Sequence, residues 1–552
     1  MSWFVGVSDA CQTRARWHRM SLTSVGIAAW LSLPCEIPAT AFAQPAGLRV
    51  EESSIAELQQ AMSSGSVTSR GLVELYLERT QRLDRGGPCL NSIIELNPEA
   101  LGVAEQMDRE RREKGPRGPL HGIPILLKDN IDTADQMLTT AGSLALVSSR
   151  PARDAFLVSR LRAAGAVIIG KTNLSEWANF RSTKSSSGWS GRGGQTRNPY
   201  ALDRNPSGSS SGSAVAVASN FAAAAVGTET DGSILSPASV CGVVGFKPTV
   251  GLVSRAGVIP IAHSQDTAGP MTRCVADAAA LLGAMAGIDP ADPATSAGAS
   301  HSQLDYTRFL DKNGLRGARV GIVRSDAFHL SDKVTPILDS AIEAMKRAGA
   351  VVVDNVEIPN LGKATDDAEL DVLLYEFKAD LEKYLASHPG AGVRTLAGLI
   401  AFNREHADRE MPFFGQEIFE RAAEKGPLTE KAYIDALDRS QRLMREGIDT
   451  AIAKHQLDAL VAITNGPAHL TDLVNGDAYT GGSSSPAAAA GYPSITVPGG
   501  FVHGLPVGVS FFGKTWSEPA LIRMGYAFEQ ATRARRSPEF RPSAETEVQA
   551  CR

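Results

Sequence analysis

The sequence lacks the residue patterns on which several large protein classes depend. Neither an H-E-x-x-H motif nor a P-loop pattern occurs, which excludes zincin metalloproteases and P-loop nucleotide hydrolases. The 552 residues include six cysteines, and no two of them have the C-x-x-C spacing of a zinc site. We therefore expect no bound zinc. The six are Cys11, Cys35, Cys89, Cys241, Cys274 and Cys551.

Clustered charge is also missing. The chain has 55 basic and 60 acidic residues, a formal net charge of −5, and no basic stripe or patch stands out along it. Nucleic-acid-binding surfaces concentrate lysine and arginine, so a nucleic-acid partner is not expected. The charge balance bears on solubility and not on the fold.

The N-terminus has no apolar run long enough to cross a membrane. A basic stretch precedes a short, mostly apolar segment at 20–33, and Ala-Phe-Ala at 41–43 has the small-x-small pattern of a cleavage site. Residues 1–43 are therefore predicted to be a signal peptide, and the mature protein is expected to be periplasmic or secreted, without stable membrane association. The alternative is a membrane anchor, but the run falls short of the ~20 residues that a spanning helix needs. Translation from Met20 is also open.

Four cysteines would remain after cleavage at this site. An exported protein can form disulfides, and the pairing is not readable from the sequence. For Cys241 and Cys274 we favour the simpler interpretation that they are small buried apolar residues.

Beyond residue 50 the pattern alternates between helix and strand. Residues 51–112 are predicted to be helical, opened by the capping box Ser54-x-x-Glu57. Short β-prone runs follow at 122–127 and 166–169, and a switch from helix through glycine to strand recurs at 345–353. Alternation of this kind predicts an α/β fold with a largely buried sheet covered by helices.

The C-terminal half predicts one continuous domain. Residues 367–453 are rich in charge and poor in glycine, which is typical of a helical cap or insertion. Strand-like runs return at 459–463 and 505–512. Because these runs are expected to complete the sheet, residues 44–552 are predicted to be a single domain that contains the helical part.

A loop of serine and glycine at 207–213 precedes a mostly apolar, helix-prone run at 214–226. Flexible linkers are not followed by such runs, so we expect a loop that leads into a buried helix. Gly-Ser-Ser-Ser-Gly at 208–212 also matches the G-x-S-x-G nucleophile elbow of α/β-hydrolases, with Ser210 as nucleophile. That elbow needs a strand directly before it, whereas 198–206 contains two prolines.

Two further motifs carry possible chemistry. Lys128 ends the apolar run Gly-Ile-Pro-Ile-Leu-Leu-Lys, and Ser233 lies in the polar turn Thr-Asp-Gly-Ser. Successive N–H groups in such a turn can bind an anion, and a serine there would lie beside its own oxyanion donors. Taken singly, each motif is weak, because most such turns are only turns and most such lysines only end a strand.

Taken together and in order, these motifs resemble those of the amidase signature family. The resemblance covers most of the chain beyond residue 44 and includes the runs at 118–130, 170–173, 242–249 and 266–270. It implies the amidase signature fold, a large mixed central β-sheet covered by helices on both faces, and hydrolysis of amides without metal or cofactor.

The resemblance also implies roles for particular residues. Ser233 matches the nucleophile, Ser209 the bridging serine that follows a cis peptide bond, and Lys128 the base. The implied oxyanion donors are the backbone N–H groups of Thr230, Asp231, Gly232 and Ser233. These roles fit the chemistry, because a hydroxyl needs a base and a lysine is a base only when burial lowers its pKa.

Departures from the broad family pattern narrow the range of substrates that we expect. The nucleophile turn reads Asp-Gly-Ser at 231–233 instead of Gly-Gly-Ser, the serine loop reads Ser-Gly-Ser-Ser-Ser-Gly, and Leu235 replaces an arginine that is common in the family. The two motif changes, with the stretches at 188–199 and 374–378, resemble the bacterial peptide amidases, which release ammonia from C-terminally amidated peptides. Pocket walls diverge quickly, so this inference is weaker than the triad.

We therefore predict an exported amidase of the peptide amidase type, a monomer or homodimer that acts on a small-molecule or peptide amide. An aryl-acylamidase or general amide hydrolase is the main alternative. Further alternatives are an α/β-hydrolase-type esterase and a transfer-RNA-dependent amidotransferase subunit, the latter disfavoured by the signal peptide and the lack of a basic surface. Asp266 is expected to be a structural hydrogen-bonding residue, and neither it nor His263 is given a chemical role.

Overall fold

A mixed β-sheet of eleven strands runs through the part of the chain that the structure describes. The structure, a computed structural model, describes residues 50–361, 367–388 and 390–544. The predicted signal peptide, both possible starts and three of the cysteines lie outside these residues. Within them Cys89, Cys241 and Cys274 carry free thiols; Cys241 is buried as predicted, and Cys274 is half-buried.

Eleven of the thirteen described strands form the large sheet, and two form a small hairpin, β4–β5. The order in the large sheet is β1-β3-β2-β6-β8-β7-β12-β13-β11-β9-β10. The strands are β1 (Ile93–Leu96), β2 (Pro124–Lys128), β3 (Val167–Thr172), β4 (Trp189–Ser190), β5 (Gly194–Gln195), β6 (Ala224–Glu229), β7 (Val244–Lys247), β8 (Thr267–Thr272), β9 (Arg319–Ile322), β10 (Val351–Val353), β11 (Ala459–Ile463), β12 (Ser494–Val502) and β13 (Leu505–Phe512).

Helices cover both faces of this sheet. As a result, every residue of the central strands β2, β3 and β6 is buried. Among the described helices, none combines the length and the apolar character needed to cross a membrane. The helices are α1 (Ile55–Ser63), α2 (Ser69–Thr80), α3 (Ala100–Lys114), α4 (Phe156–Ala163), α5 (Ser211–Ala218), α6 (Leu235–Val240), α7 (Val275–Met285), α8 (Thr335–Arg347), α9 (Asp367–Ser387), α10 (Leu396–Glu405), α11 (Ala407–Glu410), α12 (Glu417–Ala423), α13 (Lys431–Leu437), α14 (Leu443–His455), α15 (Ser485–Ala490) and α16 (Glu518–Thr532).

Local signals in the sequence explain several of these elements. The capping box is confirmed: Ser54 accepts a hydrogen bond from the Glu57 N–H, and the Glu57 carboxylate accepts one from the Ser54 N–H. The β-prone runs form β2, β3, β11 and β13, and the last two close the sheet from the C-terminal side as predicted.

Two helical predictions need correction. Residues 51–112 are not helical throughout, because β1 lies between α2 and α3 and pairs with β3. The run at 214–226 is not one helix either: α5 ends at Ala218, and β6 begins at Ala224. Alanine favours helix, but β6 lies in the middle of the sheet and is buried on both faces, so tertiary packing overrides that propensity.

The region from Asp367 to His455 is helical and contains no strand among its described residues. Its first helix, α9, packs apolar side chains against the loops that carry Trp177, Phe180, Ile259 and Ile261. The helical region therefore lies against the loops at one edge of the sheet, and that edge holds the predicted site residues.

Candidate active site

The carboxyl ends of two neighbouring parallel strands bring the predicted residues together. Strand β2 pairs with β6 in parallel, with Leu127 opposite Val226. Lys128 is the last residue of β2, and the turn at 230–233 directly follows β6. Parallel strands end at the same edge of a sheet, so the lysine and the serine turn share that edge although about 100 residues separate them.

Helix α5 brings the serine loop to the same edge. Its eight residues are all buried, and it leads into β6, so its N-terminus lies where β6 ends. Ser209 stands two residues before the helix, after a cis peptide bond from Gly208, as predicted. The Lys128 Nζ donates a hydrogen bond to the Ser209 Oγ over 2.7 Å.

The environment of Lys128 favours a neutral amine. The side chain is 0% exposed, and burial lowers its pKa to about 7, although the negative charges of Asp266 and Glu229 act in the opposite direction. Nζ also lies 2.8 Å from Thr228 Oγ1 and 3.2 Å from the Thr228 carbonyl oxygen. A protonated amine has three N–H groups for these three oxygens, whereas the neutral amine has two N–H groups and one lone pair that can take a proton from a hydroxyl.

Ser233 lies at the cavity end of the polar turn. Its side chain is 8% exposed, and its carbonyl oxygen accepts a hydrogen bond from the Ser210 N–H over 3.0 Å, which ties the turn to the serine loop. The backbone N–H groups of Asp231, Gly232 and Ser233 donate no hydrogen bond to any other part of the chain that the structure describes. Such unpaired donors are suited to bind an oxyanion.

Two buried carboxylates hold this turn in place. Glu229 accepts hydrogen bonds from the N–H groups of Ile234 and Leu235, at the start of α6. Asp266 accepts one from the Thr230 hydroxyl over 2.6 Å, which confirms the structural hydrogen-bonding role predicted for it. Burial raises the pKa of both carboxyl groups, that of Asp266 to about 6.

Sequence reasoning missed some of these partners. Thr228 and Glu229 lie inside the recognised motif; the contact of Thr228 with Lys128 follows from the pairing of β2 with β6, whereas Glu229 bonds locally to the start of α6. Asn130 donates from Nδ2 to Thr228 Oγ1 over 2.9 Å and so helps to fix the oxygen that faces the lysine. Its position two residues beyond Lys128 is the only signal that the sequence offers.

A cavity of about 460 Å³ opens in front of Ser233. The turn at 230–233 forms part of its lining, and α9 contributes to it through Leu373. Among the described residues that line the cavity there is no lysine or arginine; Asp231, Asp477, His469 and Tyr479 are the ionisable ones. Its lining also includes Asn179, Phe180, Asn205 and Ile261.

The nucleophile elbow finds no support. Ser210 is buried and does not line this cavity, and its Oγ donates to the Thr228 carbonyl oxygen over 3.0 Å. In the described chain no strand lies between Gln195 and the helix that begins at Ser211. Ser210 is therefore an internal link between the serine loop and β6.

One group in the described chain has the composition of a metal site. His263, Glu376 and Asp380 place their ligand atoms within 4.8 Å of one another. His263 Nδ1 lies 2.7 Å from Asp380, and Glu376 accepts hydrogen bonds from the Tyr433 hydroxyl and the Ser264 N–H. These contacts already account for the group as a link between the loop at 261–266 and α9.

The chain is similar to known proteins over most of its length. A model of the amidase family, Amidase, matches residues 71–522. A probable amidase of Arabidopsis thaliana is 46% identical over 499 residues, which cover 89% of this chain and 92% of the relative. The X-ray structure of the native peptide amidase of Stenotrophomonas maltophilia is 56% identical, with a TM-score of 0.85 and coverage of 89% of this chain and 99% of that one. A glutamyl-tRNA(Gln) amidotransferase subunit of Halorhodospira halophila is 34% identical, over 88% of this chain and 98% of the relative.

Proposed function

This chain belongs to the amidase family and is an amide hydrolase, and we propose that it removes ammonia from the C-terminal amide of peptides through an acyl-enzyme on Ser233. The observation that carries the proposal is the 2.7 Å hydrogen bond between the buried Lys128 amine and Ser209, beside the turn that holds Ser233. A buried base next to a hydroxyl is the arrangement that activates a weak nucleophile.

In the first half of the reaction the Ser233 Oγ attacks the carbonyl carbon of the amide. Its proton passes to Ser209, while the Ser209 proton passes to the neutral amine of Lys128. The oxyanion of the tetrahedral intermediate takes hydrogen bonds from the N–H groups of the turn at 230–233. The C–N bond then breaks, the nitrogen receives the proton through the same path, and ammonia leaves an ester on Ser233.

In the second half a water molecule attacks that ester. The same base takes a proton from the water, and the ester bond breaks to give a carboxylic acid and the original Ser233 hydroxyl. The net reaction converts one amide and one water into one acid and one ammonia. Lys128 is neutral at the start and at the end of the cycle, as a general base requires.

Two observations favour the C-terminal amide of a peptide as substrate. The chain is 56% identical to a peptide amidase over nearly the whole of that enzyme. No lysine or arginine lines the catalytic cavity among the described residues, so it offers a carboxylate no ammonium or guanidinium partner. We expect a neutral carboxamide to enter the cavity and the anionic product to leave it.

Export of the protein is part of the proposal. It rests on the sequence of residues 1–43, with its basic start, its short apolar segment and its Ala-Phe-Ala cleavage pattern. The test is the N-terminal sequence of the protein isolated from the periplasm or medium. A mature chain that begins at Gln44 is the expected result, and a cytoplasmic protein that retains residues 20–43 would contradict it.

The test of the activity compares two substrates. Ammonia release from a short C-terminally amidated peptide is measured beside p-nitroaniline release from an acetanilide, for the wild type and for Ser233→Ala. We expect turnover of the peptide amide and its loss in the variant. Turnover of the anilide alone would keep the amidase chemistry and assign the protein to the aryl-acylamidases. Full activity of Ser233→Ala would refute the proposed mechanism.

A further inference from the structure

A second cavity, of about 860 Å³, lies next to the catalytic one. The loop between β11 and α15, residues 464–484, separates them, and we call it the wall loop. Residues of this loop line both cavities. The shared residues are Pro467, Ala468, His469, Asp477 and Thr480.

The wall loop is held in place on its inner side. The Asp477 carboxylate accepts hydrogen bonds from the Ser187 N–H over 3.0 Å and from Asn205 Nδ2 over 3.2 Å. The Asn205 N–H donates to the His469 carbonyl oxygen over 2.8 Å. His469 and Asp477 are thus both hydrogen-bonded to residues that precede the serine loop. These bonds hold in place the part of the wall loop that lies between the two cavities.

The second cavity has a mixed lining of apolar, polar and charged residues. Leu470, Val502 and Leu505 provide apolar surface, and Arg204 and Lys333 are also part of the lining. Leu470 belongs to the wall loop and is 49% exposed, so its side chain is accessible to a ligand in this cavity. Apolar side chains with a few polar groups are typical of sites that bind small organic ligands.

The thickness of the wall loop sets the length of a ligand that reaches both cavities. A single layer of chain with its side chains is about 10 Å thick. An extended peptide advances about 3.3–3.6 Å per residue, so about three residues cross such a layer. A peptide whose C-terminal amide lies at Ser233 and whose chain extends past the wall loop therefore reaches the second cavity with its third residue from that end at the earliest.

We propose that the second cavity is a binding subsite for an apolar side chain of the substrate peptide, two residues before the residue that carries the amide. This inference rests on the proposed function, since it assumes a peptide amide at Ser233. It predicts that substrates of three residues bind better than N-acylated amides of one residue. The contacts of Leu470 then contribute to substrate choice and not to bond breaking.

The test measures binding by calorimetry to the Ser233→Ala variant. The probes are acetyl-Leu-Ala-Phe amide and acetyl-Phe amide. We expect the longer probe to bind at least tenfold more tightly, because it buries one additional leucine side chain. In Ser233→Ala combined with Leu470→Ser, the ratio of the two affinities is expected to fall to within about twofold. Equal affinities for the two probes in the parent would overturn the subsite.

Val474 provides the matched control. It lies in the same wall loop, is 87% exposed and lines neither cavity. Val474→Ser, added to Ser233→Ala, should therefore leave the ratio of the two probe affinities unchanged. If this ratio fell equally in the Leu470→Ser and Val474→Ser variants, the subsite would be overturned, because the effect would then come from the loop as a whole. A rise in affinity for the longer probe after removal of residues 545–552 would place that segment in the cavity instead and would also overturn it.

Failure of the proposed function has a different signature. If Ser233→Ala still released ammonia from the probes, the nucleophile would be wrong. The subsite would then be judged in the active protein from the ratio of the two KM values, with the same loop variants and the same expected changes.

Discussion

Lys128 and Ser209 form a 2.7 Å hydrogen bond in a place closed to solvent, since both side chains are 0% exposed. A residue of the serine loop and the last residue of a central strand thus meet although 81 positions separate them. Burial, and not a neighbouring charge, prepares the amine, because the two charges near it, on Asp266 and Glu229, act to raise its pKa. The proposed chemistry depends on this balance.

The pH dependence of activity tests the base. Because the pKa of Lys128 is lowered to about 7, the fraction of neutral amine rises through that pH, and kcat/KM should rise with it to a plateau. Lys128→Ala should lose about 10²- to 10⁴-fold in kcat/KM and lose this limb of the profile. Steady-state rates between pH 5 and 9 check both expectations.

His263 supplies the control for that profile. Its ordinary pKa of 6.5 lies within the range measured, and a hydrogen bond to Asp380 raises it. His263→Asn should keep the limb near pH 7. If His263→Asn lost the limb and Lys128→Ala kept it, the assignment of the base would be wrong.

The same lowered pKa predicts how stability depends on pH. Between about pH 7 and 10.5 the unfolded chain binds the Lys128 proton and the folded chain does not, so the free energy of unfolding should rise with pH from this group. The rise is at most about 1.4 kcal/mol per pH unit. The free energy of unfolding is measured with urea at pH 7, 8 and 9. It should rise less steeply with pH in Lys128→Met than in the wild type. Equal slopes would indicate that the folded-state pKa is not lowered.

A pair of serine variants separates the proposed mechanism from the elbow. Ser210→Ala removes a buried hydroxyl that contacts Thr228, so we expect a loss of about 1–3 kcal/mol in the free energy of unfolding with activity retained. Ser233→Ala should be stable and inactive. Thermal unfolding and ammonia release on both proteins check this, and an inactive, stably folded Ser210→Ala would favour the elbow.

Asp266 is predicted to position the oxyanion turn. Its carboxylate binds the Thr230 hydroxyl and the N–H groups of Ile261 and Ala262, and an amide in its place has only one acceptor oxygen. Asp266→Asn should lower kcat by up to about 10²-fold, the size of effect expected when reacting groups are slightly misplaced. Stopped assays at saturating substrate measure this loss.

Asp289 is the matched control for that variant. It is also a buried carboxylate that accepts from a serine hydroxyl, over 2.6 Å, and from a backbone N–H, but it contacts Ser254 and Ala291 instead of the turn. Asp289→Asn should lose stability and keep kcat. Equal falls in kcat for the two variants would mean that Asp266 acts only through general stability.

Local patterns predicted a large share of the fold. The run at 505–512 forms β13 over the same residues, and the helical character of 367–453 agrees with α9 to α14. Strand β1 was missed because its four residues lie between two helices and are held by pairing with β3. Such pairing is a property of the folded chain, and a window of sequence does not contain it.

The candidate site was likewise predicted only in part from the sequence. Lys128, Ser209 and Ser233 were found because each lies in a motif. The roles of Thr228 and Asn130 were not found, because they depend on which strands are neighbours. The wall loop was also missed: its residues lie more than 230 positions beyond Ser233 and reach the cavity only through the register of β11 and β13.

The most direct test of the account is to identify the acylated residue. The protein is mixed with a slowly deacylating peptide ester, stopped with acid and digested, and tandem mass spectrometry locates the acyl group. The account predicts one acyl group per chain, on Ser233, and none in Ser233→Ala. An acyl group on Ser209 or Ser210, or turnover with no acylated serine at all, would contradict it.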